Sequence, residues 1–425
     1  MAVFRNKIQK IIEKFSNLNL EELEQKLNEF NFEELSSLKL PNMSSLEKKD
    51  IQKRIDFIQN FSKIQLKYLI DNANIDNLGI FKGNIENYIG LAKVPIGLVG
   101  PLKVKGLNAR GVFFVPMATT EGALVASYTR GSIITYLSGG VYSAVLVERV
   151  SRAPAFKFLN LIQAGKFTLW VFQQFEKFKE ITKHNSKHAN LEDMLVNITG
   201  NIVYLSLDFT TGDAAGQNMV TIITDEICRF ILANSPVKPI SFFIESNLSG
   251  DKKASYLSYM FVRGKKVVAE AVIDAKLIKK FLNTTAEKIN EYVNLSTIAG
   301  MQSGTLGAQG HYANALAAIF IATGQDVACV SESAVGITRT ELIGNDLYIN
   351  VNIPNLIVGS VGGGTSLPTQ RECLEIMNCY GDFNANKLAE IIGATVLAGE
   401  LSLIGSIAAN DFAKAHKKYR KKISN

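Results

Sequence analysis

Glu121 lies in the stretch Pro116-Met117-Ala118-Thr119-Thr120-Glu121-Gly122-Ala123-Leu124-Val125-Ala126-Ser127, where helix chemistry gives a carboxylate little to do. Thr119 or Thr120 can act as N-cap of a helix that begins with the apolar run Ala123 to Ala126, which puts Glu121 in the first turn. A reciprocal capping box would need Ser or Thr three residues ahead, and that position is Ala118. Two roles stay open. Glu121 is either a partner for the positive end of the helix dipole, or an acid between Gly-rich and apolar walls, its proton affinity raised for proton transfer.

Other residues pose the same choice. Lys252, in Asn247-Leu248-Ser249-Gly250-Asp251-Lys252-Lys253, is an exposed loop lysine or a fixed cation for a developing oxyanion. Asp326 follows a strongly apolar helix, so it is expected to be partly buried beside a cation. His416, among lysines beyond the last apolar helix, is a surface histidine or a movable proton donor. The loop Gly212-Asp213-Ala214-Ala215-Gly216-Gln217-Asn218 offers free amides and a carboxylate to a phosphate, ribose or amide group, although it is not the Rossmann fingerprint. Gly362-Gly363-Gly364-Thr365 can lie against a flat or phosphorylated ligand, or be a tight turn that needs positive φ.

The elements that must position these residues fall into two or three domains over 425 residues. Residues 1–82 show helical spacing, with Ile8, Ile11, Ile12 and Phe15, then Leu20, Leu23, Leu27 and Phe30. A strand at Val112 to Val115 feeds the Thr-Thr-Glu stretch. A helix is expected from Phe156 to Gln163, a strand from Ile202 to Phe209, a helix through Ile222, Ile223, Ile227 and Ile231, and a strand from Ile240 to Ile244; together they suggest a compact α/β insert able to bind an anion. An apolar helix from Ala317 to Thr323 and a long buried one from Leu388 to Ala413 complete the chain.

The formal charge of +7 suits nucleic acid, a membrane surface or a polyanionic small molecule, and the absence of an arginine-rich arm argues against nucleic acid. No apolar run is expected to span a bilayer. Cys228, Cys329, Cys373 and Cys379 lack CxxC spacing and the four histidines are scattered, so no metal site is expected and the thiols read as reduced and cytoplasmic. Composition and spacing stop at a soluble α/β enzyme that handles an anionic ligand.

Taken in order, Glu86-Asn87-Tyr88-Ile89-Gly90, Met117 to Gly122, Gly212 to Met219, Asp251-Lys252-Lys253, Gly324-Gln325-Asp326, Gly362 to Thr365 and Ala398-Gly399-Glu400-Leu401-Ser402-Leu403 closely resemble hydroxymethylglutaryl-CoA reductase, nearer its class I form, over roughly residues 83 to 418. Beside the helical N-terminal domain read from spacing (1–82), the resemblance implies an α+β fold: a large substrate-binding domain in two segments (83–153 and 247–425) with a long buried C-terminal helix and a flap, and a small inserted ferredoxin-like cofactor domain (154–246). It implies reduction of a CoA thioester to mevalonate and free CoA with two NADPH, NADH being possible. Glu121 would then shuttle protons to the substrate oxygen, Lys252 would stabilise the oxyanion, Asp326 would tune both, and His416 would protonate the CoA thiolate. Asp213, Ala215, Gly216, Gln217 and Asn218, with Gly362, Gly363 and Thr365, are assigned to the nucleotide. Arg152, Asn247 and Lys253 are assigned to the acyl group, Ser127 and Arg130 to CoA, and Asn314 to the substrate as a whole. The Glu86 to Gly90 motif implies a homodimer or a dimer of dimers with shared active sites. The sequence departs from the family at Val293, where a lysine is usual, and at Ala215 and Gln217, where methionines are usual.

Overall fold

The computed structural model describes residues 92–411 continuously and, ahead of them, residues 13, 16, 19–29, 34–39, 48–66 and 84. The Glu86 to Gly90 motif, the first expected helix and His416 lie outside the described residues. Within the expected helical region, α1 (Leu20–Asn28) and α2 (Lys48–Ser62) are present. The face of α2 that carries Phe57 and Phe61 packs edge-on against buried Phe114, at 5.3 and 4.8 Å between ring centres.

One strand organises the remainder. β1 (Ile96–Gly106) and β2 (Arg110–Ala118) form a hairpin, α3 (Leu124–Leu137) follows, and β3 (Val141–Arg152) then takes part in two sheets. Its residues Tyr142 to Arg149 pair antiparallel with β8, while Val150 to Arg152 pair with β6. Beyond it lies the insert: β4 (Ala155–Lys157), α4 (Leu161–Gln173), α5 (Phe175–Asn185), β5 (Asn190–Thr199), β6 (Ile202–Thr210), α6 (Gln217–Asn234) and β7 (Ser241–Phe243). Its strands run antiparallel in the order β7-β4-β6-β5, the split β-α-β-β-α-β arrangement of a ferredoxin-like unit. A core of its own, with Phe156, Phe158, Phe167, Phe178, Leu205 and Ile227, fills it.

The helix expected from Phe156 to Gln163 is instead strand β4 followed by a bend. Phe156 and Phe158, two apart, both turn into the insert's core, a period-2 pattern. The helix starts only at Leu161, where the Asn160 side chain accepts the Gln163 N–H at 3.0 Å.

The second half supplies α7 (Tyr256–Phe261), β8 (Gly264–Ile273), α8 (Ala275–Leu282), α9 (Ala286–Ser303), β9 (Gly307–Ala308), α10 (Tyr312–Thr323), α11 (Val330–Ser333), β10 (Gly336–Ile343), β11 (Asp346–Leu356), α12 (Pro368–Ile376) and α13 (Ala385–Ala408). The large sheet runs β3-β8-β11-β10-β9, and every residue of α13 from Leu388 to Ser402 is buried against it and against α3 and α10. At 24 residues α13 is long and apolar enough to cross a membrane, contrary to the expectation that no run reaches that length; its burial makes it a core helix instead. Two carboxylates inside it are satisfied. Glu390 accepts the Asn108 and Ala109 N–H groups, each at 2.7 Å, and Glu400 accepts those of Gly310 and His311 at 2.8 and 2.7 Å. Burial pushes the Glu390 carboxyl up, with these donors opposing.

Helices α3 and α13 cross so closely that a Cβ on Gly131 would overlap the Ala398 carbonyl, and one on Gly399 the Tyr128 ring. Backbone rather than a flexible side chain blocks the first position. Gly131→Ala should therefore destabilise the fold by about 1–3 kcal/mol or more, read from the urea midpoint; an unchanged midpoint would show that the crossing can open at no cost.

Candidate active site

The loop 244–255 between β7 and α7 is held in an unusual backbone shape, with positive φ at Asn247 (66°), Gly250 (72°) and Lys252 (55°). Across from it, α10 ends at Gly324, and Asp326 caps the short 3-10 turn Val327–Cys329 by accepting the Ala328 N–H at 3.1 Å. The two loops meet where Lys252 Nζ lies 2.8 Å from Asp326 Oδ2, both side chains about two-fifths exposed. The hydrogen bond that Lys252 donates to Asp326, helped by the carboxylate charge, raises the Lys252 pKa against the opposing effect of burial. The pair therefore presents a cation that keeps its proton.

Beneath the pair lies a buried charge network that the sequence does not announce. Arg152, 6% exposed, donates to Glu245 at 3.0 Å, to Asp251 at 3.1 Å and to the Gln217 carbonyl at 3.3 Å. Arg263 is wholly buried and reaches Asp251 at 2.8 Å, Gln217 Oε1 at 2.7 Å and Glu332 at 2.5 Å. Burial alone would raise the Asp251 carboxyl, but Arg263 and Arg152 outweigh it and hold it below its ordinary value. At Glu332 burial wins over Arg263 and the pKa rises. Lys253 folds back onto the Asp251 carbonyl at 2.9 Å, and the Asn247 N–H donates to Glu245 at 2.7 Å. Arg263 opens an apolar strand and Glu332 sits in a serine-flanked turn, so neither carries a motif.

The two glycine loops assigned to the nucleotide adjoin each other. Ala214 bridges Val361, and the Ser360 N–H donates to the Asp213 carbonyl at 2.8 Å. Gly216, at φ 80°, opens α6, and a Cβ there would overlap Thr211. Ala215 is partly buried against the main core, Asn218 is exposed in the first turn of α6, and Gln217 faces inward, donating to Cys329 Sγ at 3.6 Å. Gly362 and Gly363 are exposed with positive φ, and Thr365, buried, donates to the Gly362 carbonyl at 2.6 Å. The Asp213 carboxylate also has a structural role that its glycine loop does not signal: it accepts the N–H groups of Phe383 at 2.8 Å and Ala385 at 3.1 Å, tying the loop to the start of α13.

A third group gathers on α3, α10 and α13. Ser127 and Arg130 both reach Ser402, at 2.9 and 3.0 Å. The Asn314 amide lies 3.3 Å from His311 Nδ1. Glu121 departs from its expected place. The helix begins at Leu124, after Ala123 in a left-handed conformation with no side-chain cap, so Glu121 precedes the first turn. Thr119 serves a tighter local turn instead, accepting the Glu121 N–H at 3.0 Å. The Glu121 side chain is exposed and, among the described residues, makes no hydrogen bond or ion pair with Lys252 or Asp326. Val293, where the resemblance leads one to expect a lysine, is 8% exposed and packed in the main core.

A family profile described as hydroxymethylglutaryl-coenzyme A reductase matches residues 50–421. The 3-hydroxy-3-methylglutaryl-coenzyme A reductase of Methanocaldococcus jannaschii is 42% identical over 372 residues, covering 85% of this chain and 91% of that one. That of Pyrococcus horikoshii is 40% identical over 415 residues, covering 94% and 98%. Among solved structures, the class II enzyme from Streptococcus pneumoniae bound to NADPH in open conformations shares the fold, with a TM-score of 0.64 at 18% identity over 93% of this chain and 99% of that one. With a profile and close relatives spanning most of its length, the chain belongs to the hydroxymethylglutaryl-coenzyme A reductase family.

Proposed function

We propose that this protein reduces 3-hydroxy-3-methylglutaryl-CoA to mevalonate and free CoA, using two NADPH. The observation that carries the reading is the Lys252–Asp326 pair, 2.8 Å apart, set between the two adjoining glycine loops: Gln217 of one touches Cys329, and Gly364 of the other packs on Gly324. The loops fit a dinucleotide. Gly362 and Gly363 are exposed with no Cβ in the way, and Gly216 opens a helix of 18 residues whose first amides face the loop. The nicotinamide supplies hydride when bound. The protein's task is charge: hydride addition to a thioester places negative charge on the carbonyl oxygen, and the Lys252 ammonium, kept protonated by Asp326, is the donor fixed for it. Arg152, Asn247 and Lys253 would hold the acyl group, Ser127 and Arg130 the CoA, and Asn314 the substrate as a whole. His416 would return a proton to the CoA thiolate, which otherwise could re-add to the aldehyde.

Glu121 would complete the site as the acid for the substrate oxygen. Its exposed position apart from Lys252 within one chain supports a homodimer in which Glu121 of the partner subunit meets the Lys252–Asp326 pair. Val293 favours a second reading, a reductase of the same fold for another acyl-CoA, because one cation usual in the family is replaced by a core valine. A screen of thioesters separates the two: the hydroxymethylglutaryl thioester turned over best supports the first, and another acyl group the second.

Lys252→Met should lower NADPH oxidation with the hydroxymethylglutaryl thioester by at least about 100-fold while leaving nucleotide affinity unchanged, measured by NADPH fluorescence titration. Retained turnover would remove Lys252 from the reaction. Refolding a mixture of Glu121→Gln and Lys252→Met chains should regain about a quarter of wild-type activity, since random pairing leaves one intact site in half of the dimers. A mixture as inactive as either variant alone would place the whole site within one chain.

A further inference from the structure

We propose that Glu332 and Arg263, with Ser331, act as positioning residues for the reaction by clamping the Lys252 backbone in its left-handed conformation, so that the ammonium is delivered to Asp326. This rests on the assignment of Lys252 as the oxyanion donor. The Lys252 N–H donates to Glu332 Oε1 at 3.1 Å, and the Lys252 carbonyl accepts from Ser331 Oγ at 2.7 Å. Both polar groups of one residue are therefore gripped by adjacent residues of the short helix α11, in the turn that Asp326 begins. That grip accounts for a φ of 55° at a residue with a long side chain, which rarely adopts the left-handed region unless its surroundings fix it. Cation and carboxylate are thus located by one turn of chain.

Arg263 holds the clamp itself. Glu332 is wholly buried, and an unpaired carboxylate there would be costly; Arg263, also wholly buried, pairs with it at 2.5 Å. Arg263 is aimed by a second strained residue, Val262, whose φ of 70° is an outlier for a β-branched side chain, and its N–H is fixed by buried Asn355 at 3.0 Å. Its Nη2 reaches Asp251, which adjoins Lys252, and Gln217, the first residue of the helix behind the nucleotide loop. The placement of the cation is thereby tied to the shape of that loop.

Ser331→Ala and Glu332→Gln test this, with Ser331→Thr as the conservative control. Crystal structures of the first two should show Lys252 displaced from positive φ and its ammonium away from Asp326; a pair still intact in both overturns the proposal, whether or not the protein turns over any substrate. In assays of the full chain with the hydroxymethylglutaryl thioester and NADPH, kcat should fall on the order of 10- to 100-fold with little change in either KM, and Ser331→Thr should restore it. Equal losses in nucleotide affinity, or no rescue by threonine, would mark the residues as merely structural. Ser331 is exposed, so Ser331→Ala decides the matter if Glu332→Gln does not fold. Wild-type protein without turnover would count against the proposed function, whereas an active wild type with unaffected variants would count against the clamp.

Discussion

Keeping the Lys252 ammonium against the Asp326 carboxylate is the constraint to which the rest of the structure answers. A half-exposed ion pair contributes only about 0–1 kcal/mol by itself, so attraction between the two groups does not explain their fixed geometry. The scaffold does. Strain at Lys252 and Val262, a buried arginine with three carboxylate or amide partners, and the capping of a short turn by Asp326 all serve to place one cation. Free energy from the core is thus invested in a site that is not itself stabilising, as the proposed role of Lys252 as a preorganised oxyanion donor requires.

The core that supports this investment is α13 and the sheet it covers. Its composition is that of a membrane span, and its environment differs only in what surrounds it: Glu390 and Glu400 are admitted because loop amides meet both carboxylates and the Thr338 hydroxyl also donates to Glu400. The glycines of the Ala398-Gly399-Glu400 stretch and of α3 then allow the two helices to touch along their backbones. That contact brings Ser127 and Arg130 to Ser402. One helix therefore fixes the sheet that carries Arg263 and the residues assigned to CoA.

Much of this was legible in the sequence where periodicity is strong. The strand ending at Thr210, the helix from Gln217 and the long apolar C-terminal helix all follow patterns dictated by burial. Local chemistry misled where two patterns compete. Phe156 and Phe158 face one core at strand spacing, in a stretch short enough to read as a helix start. Thr119 turns its hydroxyl to the Glu121 N–H rather than capping the helix, which begins three residues later. The Arg263 and Glu332 pair was invisible because its members are 69 residues apart and neither belongs to a motif. Asp213 was legible as a carboxylate in a glycine loop, but not as the cap of a helix that starts 172 residues later.

What the single chain leaves apart is Glu121 and the Lys252–Asp326 pair, and a second subunit is the simplest way to join them. The most direct measurement is a crystal structure of the assembled protein with NADP⁺ and the acyl-CoA bound. The carboxylate of Glu121 from one subunit should lie within hydrogen-bond distance of the Lys252 ammonium or the thioester oxygen at the other's site. A Glu121 carboxylate left in solvent, remote from Lys252 in every subunit, would contradict it.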